Sequence, residues 1–267
     1  MAKPSIHPTA LVEKGAQLEN DVVVGPFCTV GAHVRIGQGT RLVSHVVVTG
    51  NTTIGTNNVI YPFVSLGQPS PDRKYKGEVT TLTIGDNNDI RESVTMHIGT
   101  AADRGTTSVG NANLFMAGSH VAHDCIVGSY CTIANYAQLA GHVELADYVT
   151  IGGLTGIHQR VRVGTGAIIG GHAGVEHDVL PYSTVAGRRA ALKGLNLVGL
   201  RRRGVEKTII NALDDAFTQL LDAPDTSLTL VERAKHLKRD ATLPEVEALA
   251  EFILTSQRGI TGYDDDE

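Results

Sequence analysis

The chain has 267 residues, a net charge of −5, thirty glycines and no tryptophan. The negative charge excludes general affinity for nucleic acid. No apolar run approaches the ~20 residues of a spanning helix, and the opening stretch MAKPSIHPTALVEKG lacks a secretory apolar core, so a cytoplasmic protein with no stable membrane insertion is expected.

From Ile6 onward a six-residue unit opens on an apolar residue: Val12, Leu18, Val24, and so on to Leu66. The period resumes at Ile84, Ile90 and Met96, and again from Val109 through Phe115 and Val121 to Val175. A fixed short period is the mark of a β-solenoid. The lead residue of each unit points inward. The slot four residues later takes a small inward neighbour; Cys28, Cys125 and Cys131 all fall there, as reduced, buried fillers. By analogy with known hexapeptide solenoids, three units make one triangular turn of 18 residues. Turns then stack about 4.8 Å apart and form a prism about 40 Å long.

Two stretches break the register: 68–81, QPSPDRKYKGEVTT, and 100–107, TAADRGTT. Both are expected to protrude as loops on the binding face. After Pro181 the spacing turns helical. Helices are predicted around 209–221, 228–237 and 246–253, with Pro244 in the first turn of the last, and a frayed acidic tail at 263–267. The expected organisation is a β-helix domain over 1–187 and a C-terminal helical domain over 188–267.

Five of the eleven histidines lie between 120 and 172. The densest stretch, SHVAHDC, holds His120, His123 and Asp124. Counting in eighteens places Gly141, Gln159 and His177 above His123, with His142 and His158 one residue off that column. An imidazole of ordinary pKa near ~6.5 is a suitable general base at neutral pH, Asp124 can orient it, and the Gly141 amide can hold an oxyanion. The plain alternative is a set of solvated corner histidines. A zinc site is the other chemical option, from His120 and His123 with His97 or His142; the inward Cys125 is a poor ligand. Between Arg188 and Lys207 lie seven basic residues, a local field suited to phosphate or an acidic partner.

The loop ending DRKYKGE, the run IRESVTMHIGT, then SHVAHDC, LAGHV, IGGLTGIHQ and GLNLVGLRRRG resemble the UDP-N-acetylglucosamine O-acyltransferase family over nearly the whole chain. The resemblance implies a mainly β fold, a left-handed parallel β-helix with a C-terminal α-helical domain, assembled as a homotrimer with sites between prisms. It implies transfer of an R-3-hydroxyacyl chain from acyl carrier protein to the 3-hydroxyl of UDP-N-acetylglucosamine in lipid A biosynthesis, with no metal and no cofactor. By motif, His123 matches the general base, Asp124 its support and Gly141 the oxyanion donor. Asp72, Lys74, His120, His142 and His158 match contacts to the sugar nucleotide or acyl group. Gln159, Asn196, Arg202 and Arg203 match nucleotide and phosphate contacts. Gly171 matches the position that limits acyl length, and glycine there predicts a relatively long chain. Pro71, Arg73, Ile98 and Val198 depart from the best-known members. The alternatives are N-acylation of a 3-amino sugar nucleotide by the same chemistry, a zinc-dependent solenoid carbonic anhydrase, and a non-catalytic scaffold.

Overall fold

A computed structural model describes residues 2–221 and 228–262. The expectation for 263–267 lies outside the described residues. Twenty-six strands, β1 (Ser5–Ile6) to β26 (Gly174–Val175), each contain one apolar lead. With two further strands near the C-terminal end they make three sheets of 11, 9 and 8 strands, in which each of the twenty-six pairs in parallel with strands one turn away. Ser5 pairs with Val23, and Leu114 pairs with Thr132, so the repeat is 18 residues. The result is a parallel β-helix of triangular section.

The leads stack into three ladders that fill the prism; Val30, Leu42, Ile60, Ile90, Phe115 and Ile151 are each 0% exposed. Each buried aliphatic contributes about 1.5–3 kcal/mol relative to its exposed state. The small inward slot carries a polar ladder as well. Asn58 Oδ1 accepts the Asn88 amide N–H at 2.9 Å, Asn88 Oδ1 accepts that of Asn113 at 2.9 Å, and Asn113 Oδ1 accepts that of Cys131 at 2.7 Å. Cys131 therefore continues this column as a filler. Burial pushes the Cys125 and Cys131 thiols up to about 12, so neither is a thiolate.

The coils are close enough to forbid side chains at some positions: a Cβ on Gly25 would lie 1.8 Å from the Val43 carbonyl oxygen. At most corners, the residue three after the lead adopts a left-handed backbone even when it is not glycine. Asp124, His142 and Arg160 have φ of 59°, 65° and 64°. This conformation costs roughly 1 kcal/mol or more for such residues and turns their side chains outward at the corner.

The insertions are slightly displaced from expectation. The first spans 69–80, between β11 (Ser65–Gln68) and β12 (Thr81–Ile84). Gln68 and Thr81 belong to the sheets, pairing with His97 and Asn51. The second spans 98–105, between β14 (Thr95–His97) and β15 (Thr106–Val109), rather than 100–107. Thr106 and Thr107 pair with Thr81 and Leu82. Backbone pairing needs no apolar lead, so the lead pattern misses these strand ends.

At the C-terminal end, β27 (Ser183–Ala186) is joined by an antiparallel strand, β28 (Ala191–Leu195). The 187/188 position falls inside this hairpin. Helices α1 (Leu197–Arg202), α2 (Lys207–Leu221), α3 (Leu230–Asp240) and α4 (Pro244–Leu254) follow. Helix α1 was not foreseen; it is a single short segment capped by Asn196, whose side chain accepts the Gly199 amide. The chain then returns to the solenoid. Thr261 N–H donates to the Asp178 carbonyl, and Leu192 N–H donates to Gly262. These bonds occupy backbone groups at the last coil, which would otherwise be an open edge.

Candidate active site

Two parallel columns of corner residues make the site. One holds His123, Gly141 and Gln159, each two residues after a lead. The other holds Asp124, His142 and Arg160, in the left-handed position. Backbone bonds tie the columns together turn by turn: His142 N–H donates to the His123 carbonyl at 3.0 Å, and Arg160 N–H to that of Gly141 at 3.1 Å.

His123 Nδ1 lies 2.9 Å from Asp124 Oδ2. Asp124 is fully buried. Burial alone would raise its carboxyl pKa; the Thr100 hydroxyl and amide, with His123, reverse that and hold it below the usual carboxylate range. Thr100 N–H reaches both oxygens at 3.0 and 3.1 Å, and Thr100 Oγ1 donates at 2.7 Å. An ionised carboxylate only accepts, so the shared proton sits on His123 Nδ1. The lone pair is left on Nε2, as a base requires. The His123 ring lies over Gly141, and no backbone acceptor among the described residues takes the Gly141 N–H.

His142 repeats the pairing one turn on, with its Nδ1 2.5 Å from Asp103 Oδ2. Its ring meets His123 edge-on, centroids 4.9 Å apart at 89°. The ligand-capable atoms of His123, Asp124 and His142 lie within 4.8 Å of one another. Both histidine Nδ1 atoms are engaged by carboxylates, so a cation using those two atoms would have to displace their protons.

A cleft of about 550 Å³ opens over these columns, lined by Pro71, Asp72, Lys74, Ala122, His123, His142, Gln159 and Arg160. The first insertion thus delivers Asp72 and Lys74 to the site. Asp72 Oδ1 accepts the Lys74 amide at 2.9 Å, which shapes the loop tip.

The other expected residues stand elsewhere on the prism. His120, on β17 (His120–Val121), bonds Thr95 Oγ1 through Nδ1 at 2.7 Å and abuts His97 at 4.9 Å. Burial first, then the neighbouring His123 charge, depresses its pKa, against a bond to Thr95 that raises it. His158 is exposed and bonds the Gln159 carbonyl. His177 does not line the cleft. Asn196, Arg202 and Arg203 line a separate pocket of about 290 Å³ with Tyr130, Tyr148 and Gly166. Gly171 stands at the third corner, where a Cβ would lie 3.1 Å from the Gly153 carbonyl oxygen. One chain therefore gathers His123, Asp124, Gly141, His142, Gln159, Asp72 and Lys74, but not the basic pair or Gly171.

Sequence reasoning missed Thr100, Asp103 and Arg160. The first two lie in a break of the repeat, where no register assigns a position. Arg160 follows directly after Gln159 and was available to the same column count.

A parallel β-helix of hexapeptide repeats, with a histidine–carboxylate pair in a corner cleft, defines the hexapeptide-repeat acyltransferases. Residues 15–50 and 106–141 match the model for bacterial transferase hexapeptides. Residues 178–261 match the model for UDP-N-acetylglucosamine O-acyltransferase, domain 2. The acyl-[acyl-carrier-protein]--UDP-N-acetylglucosamine O-acyltransferase of Rhizobium johnstonii is 45% identical over 219 residues, 82% of this chain and 80% of its own length. The structure of LpxA from Acinetobacter baumannii superposes with a TM-score of 0.91 at 41% identity, covering 96% of this chain and 99% of that one. The UDP-N-acetylglucosamine acyltransferase from Campylobacter jejuni gives 0.92 at 38% identity, covering 97% and 100%. The chain belongs to the UDP-N-acetylglucosamine O-acyltransferase family, and is an acyltransferase.

Proposed function

We propose that this chain, as a cytoplasmic homotrimer, moves an R-3-hydroxyacyl group from acyl carrier protein to the 3-hydroxyl of UDP-N-acetylglucosamine, the first step of lipid A synthesis. The observation that carries the mechanism is the His123 ring: Nδ1 is bound to a buried carboxylate, and the opposite edge packs against Gly141. His123 Nε2 takes the proton of the sugar hydroxyl as its oxygen attacks the thioester carbonyl. The carbonyl oxygen becomes an oxyanion, which the Gly141 N–H stabilises. The tetrahedral centre collapses, the C–S bond breaks, and the thiolate takes the proton from the imidazolium. Asp124 stabilises that imidazolium while it lasts. General base action of this kind supplies about 10²–10⁴-fold.

Asp72, Lys74, His142 and Gln159 bind and orient the sugar beside His123. Asn196, Arg202 and Arg203, on a different corner, serve the nucleotide of a site completed by the neighbouring prism. His120 and His158 take the outer parts of the same substrates. The test is mass spectrometry of products from a mixed pool of 3-hydroxyacyl carriers, offered with sugar nucleotides bearing a hydroxyl or an amine at position three. An O-acylated product that disappears in His123→Ala supports the reading. An amide as the favoured product transfers the assignment to N-acylation, and hydration of carbon dioxide dependent on bound zinc would replace it altogether.

A further inference from the structure

The second insertion, 98–105, is anchored at both ends and lies against the corner. Ile98 N–H donates to Gln68 O and Gly99 N–H to Thr81 O, while Gly105 N–H closes the loop on Thr100 O at 3.0 Å. At Gly99 a Cβ would stand 2.3 Å from the Thr106 nitrogen, so the loop's path here leaves no room for a side chain. Thr100 binds Asp124, and Arg104 donates to the Asp124 carbonyl oxygen at 3.0 Å. The next contact is one turn higher. Asp103 Oδ2 meets His142 Nδ1, and the same oxygen stands 3.8 Å from Arg160 Nη1, a further turn up. One short loop thus touches three consecutive members of the left-handed column.

His142 lines the cleft, and its side chain is 9% exposed, whereas that of Asp103 is 27% exposed. A carboxylate on Nδ1 fixes both the tautomer and the ring angle of a histidine, leaving Nε2 as the atom it presents. Without Asp103, the nearest other carboxylate oxygen, Asp124 Oδ2, is 3.9 Å from His142 Nδ1 and already holds His123. The two demands cannot both be met by one oxygen already bonded to Thr100.

Building on the function proposed above, we infer that Asp103 is a positioning residue: it holds His142 with Nε2 toward the sugar and keeps it from competing with His123 for Asp124. Arg160 holds Asp103 in place through their ion pair. The loop acts on substrate binding through His142 and on base orientation through Thr100, from one rigid segment.

The test uses the full chain, with Asp103→Ala and Asp103→Asn alone and in a His142→Ala background. Acyl transfer is assayed, and binding of UDP-N-acetylglucosamine is measured by calorimetry without acyl donor. The expected result for Asp103→Ala is a roughly ten-fold rise in nucleotide KM and Kd, an unchanged melting temperature, and a smaller loss in kcat. Asp103→Asn keeps most of the binding, since its amide oxygen still accepts from Nδ1. In the His142→Ala background, Asp103→Ala adds nothing further. Unchanged KM and Kd in Asp103→Ala, or the same loss with His142 already removed, overturns the inference. A wild-type chain that binds no UDP-N-acetylglucosamine and transfers no acyl group fails the function proposal instead.

Discussion

The imidazole of His123 rests on the backbone of Gly141 so closely that a Cβ at residue 141 would lie 2.6 Å from Cε1 and 2.7 Å from Nε2. Residue 141 is not in the left-handed region, so alanine suits the backbone there and the added methyl must push the ring. Gly141→Ala is expected to lower kcat by at least 10²-fold while the melting temperature changes little. Steady-state kinetics beside thermal denaturation would check it. Near-normal kcat would show that ring placement over residue 141 is immaterial.

Thr100 supplies three short contacts to a carboxylate with no access to water. Thr100→Val removes the hydroxyl and leaves a buried oxygen short of a donor, at a cost of about 1–3 kcal/mol. The sign with pH follows from the lowered Asp124 pKa. Its ionised form stabilises the fold above the unfolded pKa of about 3.9, and that stabilisation is lost as pH falls toward the lower folded value. The deficit of Thr100→Val should therefore be full at pH 7 and shrink below about pH 4. Denaturant titrations at both pH values would reveal a constant deficit if the bond matters only sterically.

His97 Nδ1 is buried with no hydrogen-bond partner among the described residues, and burial, then the nearby His120 and His123, lowers its pKa to about 4. In the unfolded chain the group protonates near ~6.5, so its contribution is intact above that pH and falls away between 6.5 and 4. Moving from pH 7 to 5 should cost about 1–2 kcal/mol through this residue alone. His97→Phe should lose that much less over the same interval. Parallel acid sensitivity in variant and wild type would count against a neutral, buried His97.

The basic pair and the histidine column occupy different corners, and Arg203 carries a buried Nη2 with no hydrogen-bond partner among the described residues, its guanidinium 5.1 Å over the Tyr148 ring. If neighbouring prisms complete each site, His123→Ala and Arg203→Ala chains should complement. Refolded together in equal amounts, they should recover about a quarter of wild-type sites, since one site in four pairs two intact contributors in a closed ring. Activity at limiting nucleotide is the readout. Recovery no greater than the sum of the two separate variants would place both clusters' work within single chains.

At the third corner, Gly153 and Gly171 stack with no side chain between them. Gly171→Met should shorten the preferred acyl chain by several methylenes, seen by competition among carriers. Each methylene of burial is worth about 0.8 kcal/mol, so an abrupt cut-off marks a steric stop and a gradual slope marks affinity alone. An unchanged product distribution would remove Gly171 from the acyl groove.

The repeat made the prism legible, because every lead from Ile6 to Val175 reads out a strand and counting eighteens sets Gly141 over His123. The left-handed column was legible in part: His142 appears one residue off register only because it belongs to the neighbouring column with Asp124. Asp103 and Thr100 were not legible. Their partners are 39 and 24 residues away, joined through a loop whose path no periodicity describes. The hairpin strand β28 and helix α1 escaped for a similar reason, being short segments shaped by the last coil rather than by internal spacing.

The Val59–Asp89 and Asp89–Leu114 pairings skip 30 and 25 residues, whereas the coils above and below skip 18. Such a rod behaves like a screw thread. A single residue added inside a strand between 109 and 175 would put core side chains into solvent there, so length is not freely added within the shaft. The two outgrowths are exempt; the first lines the cleft, and the second contacts Asp124 and His142. Substrate preference in this architecture can therefore drift by ordinary insertion and deletion, while the shaft that carries His123 keeps its pitch.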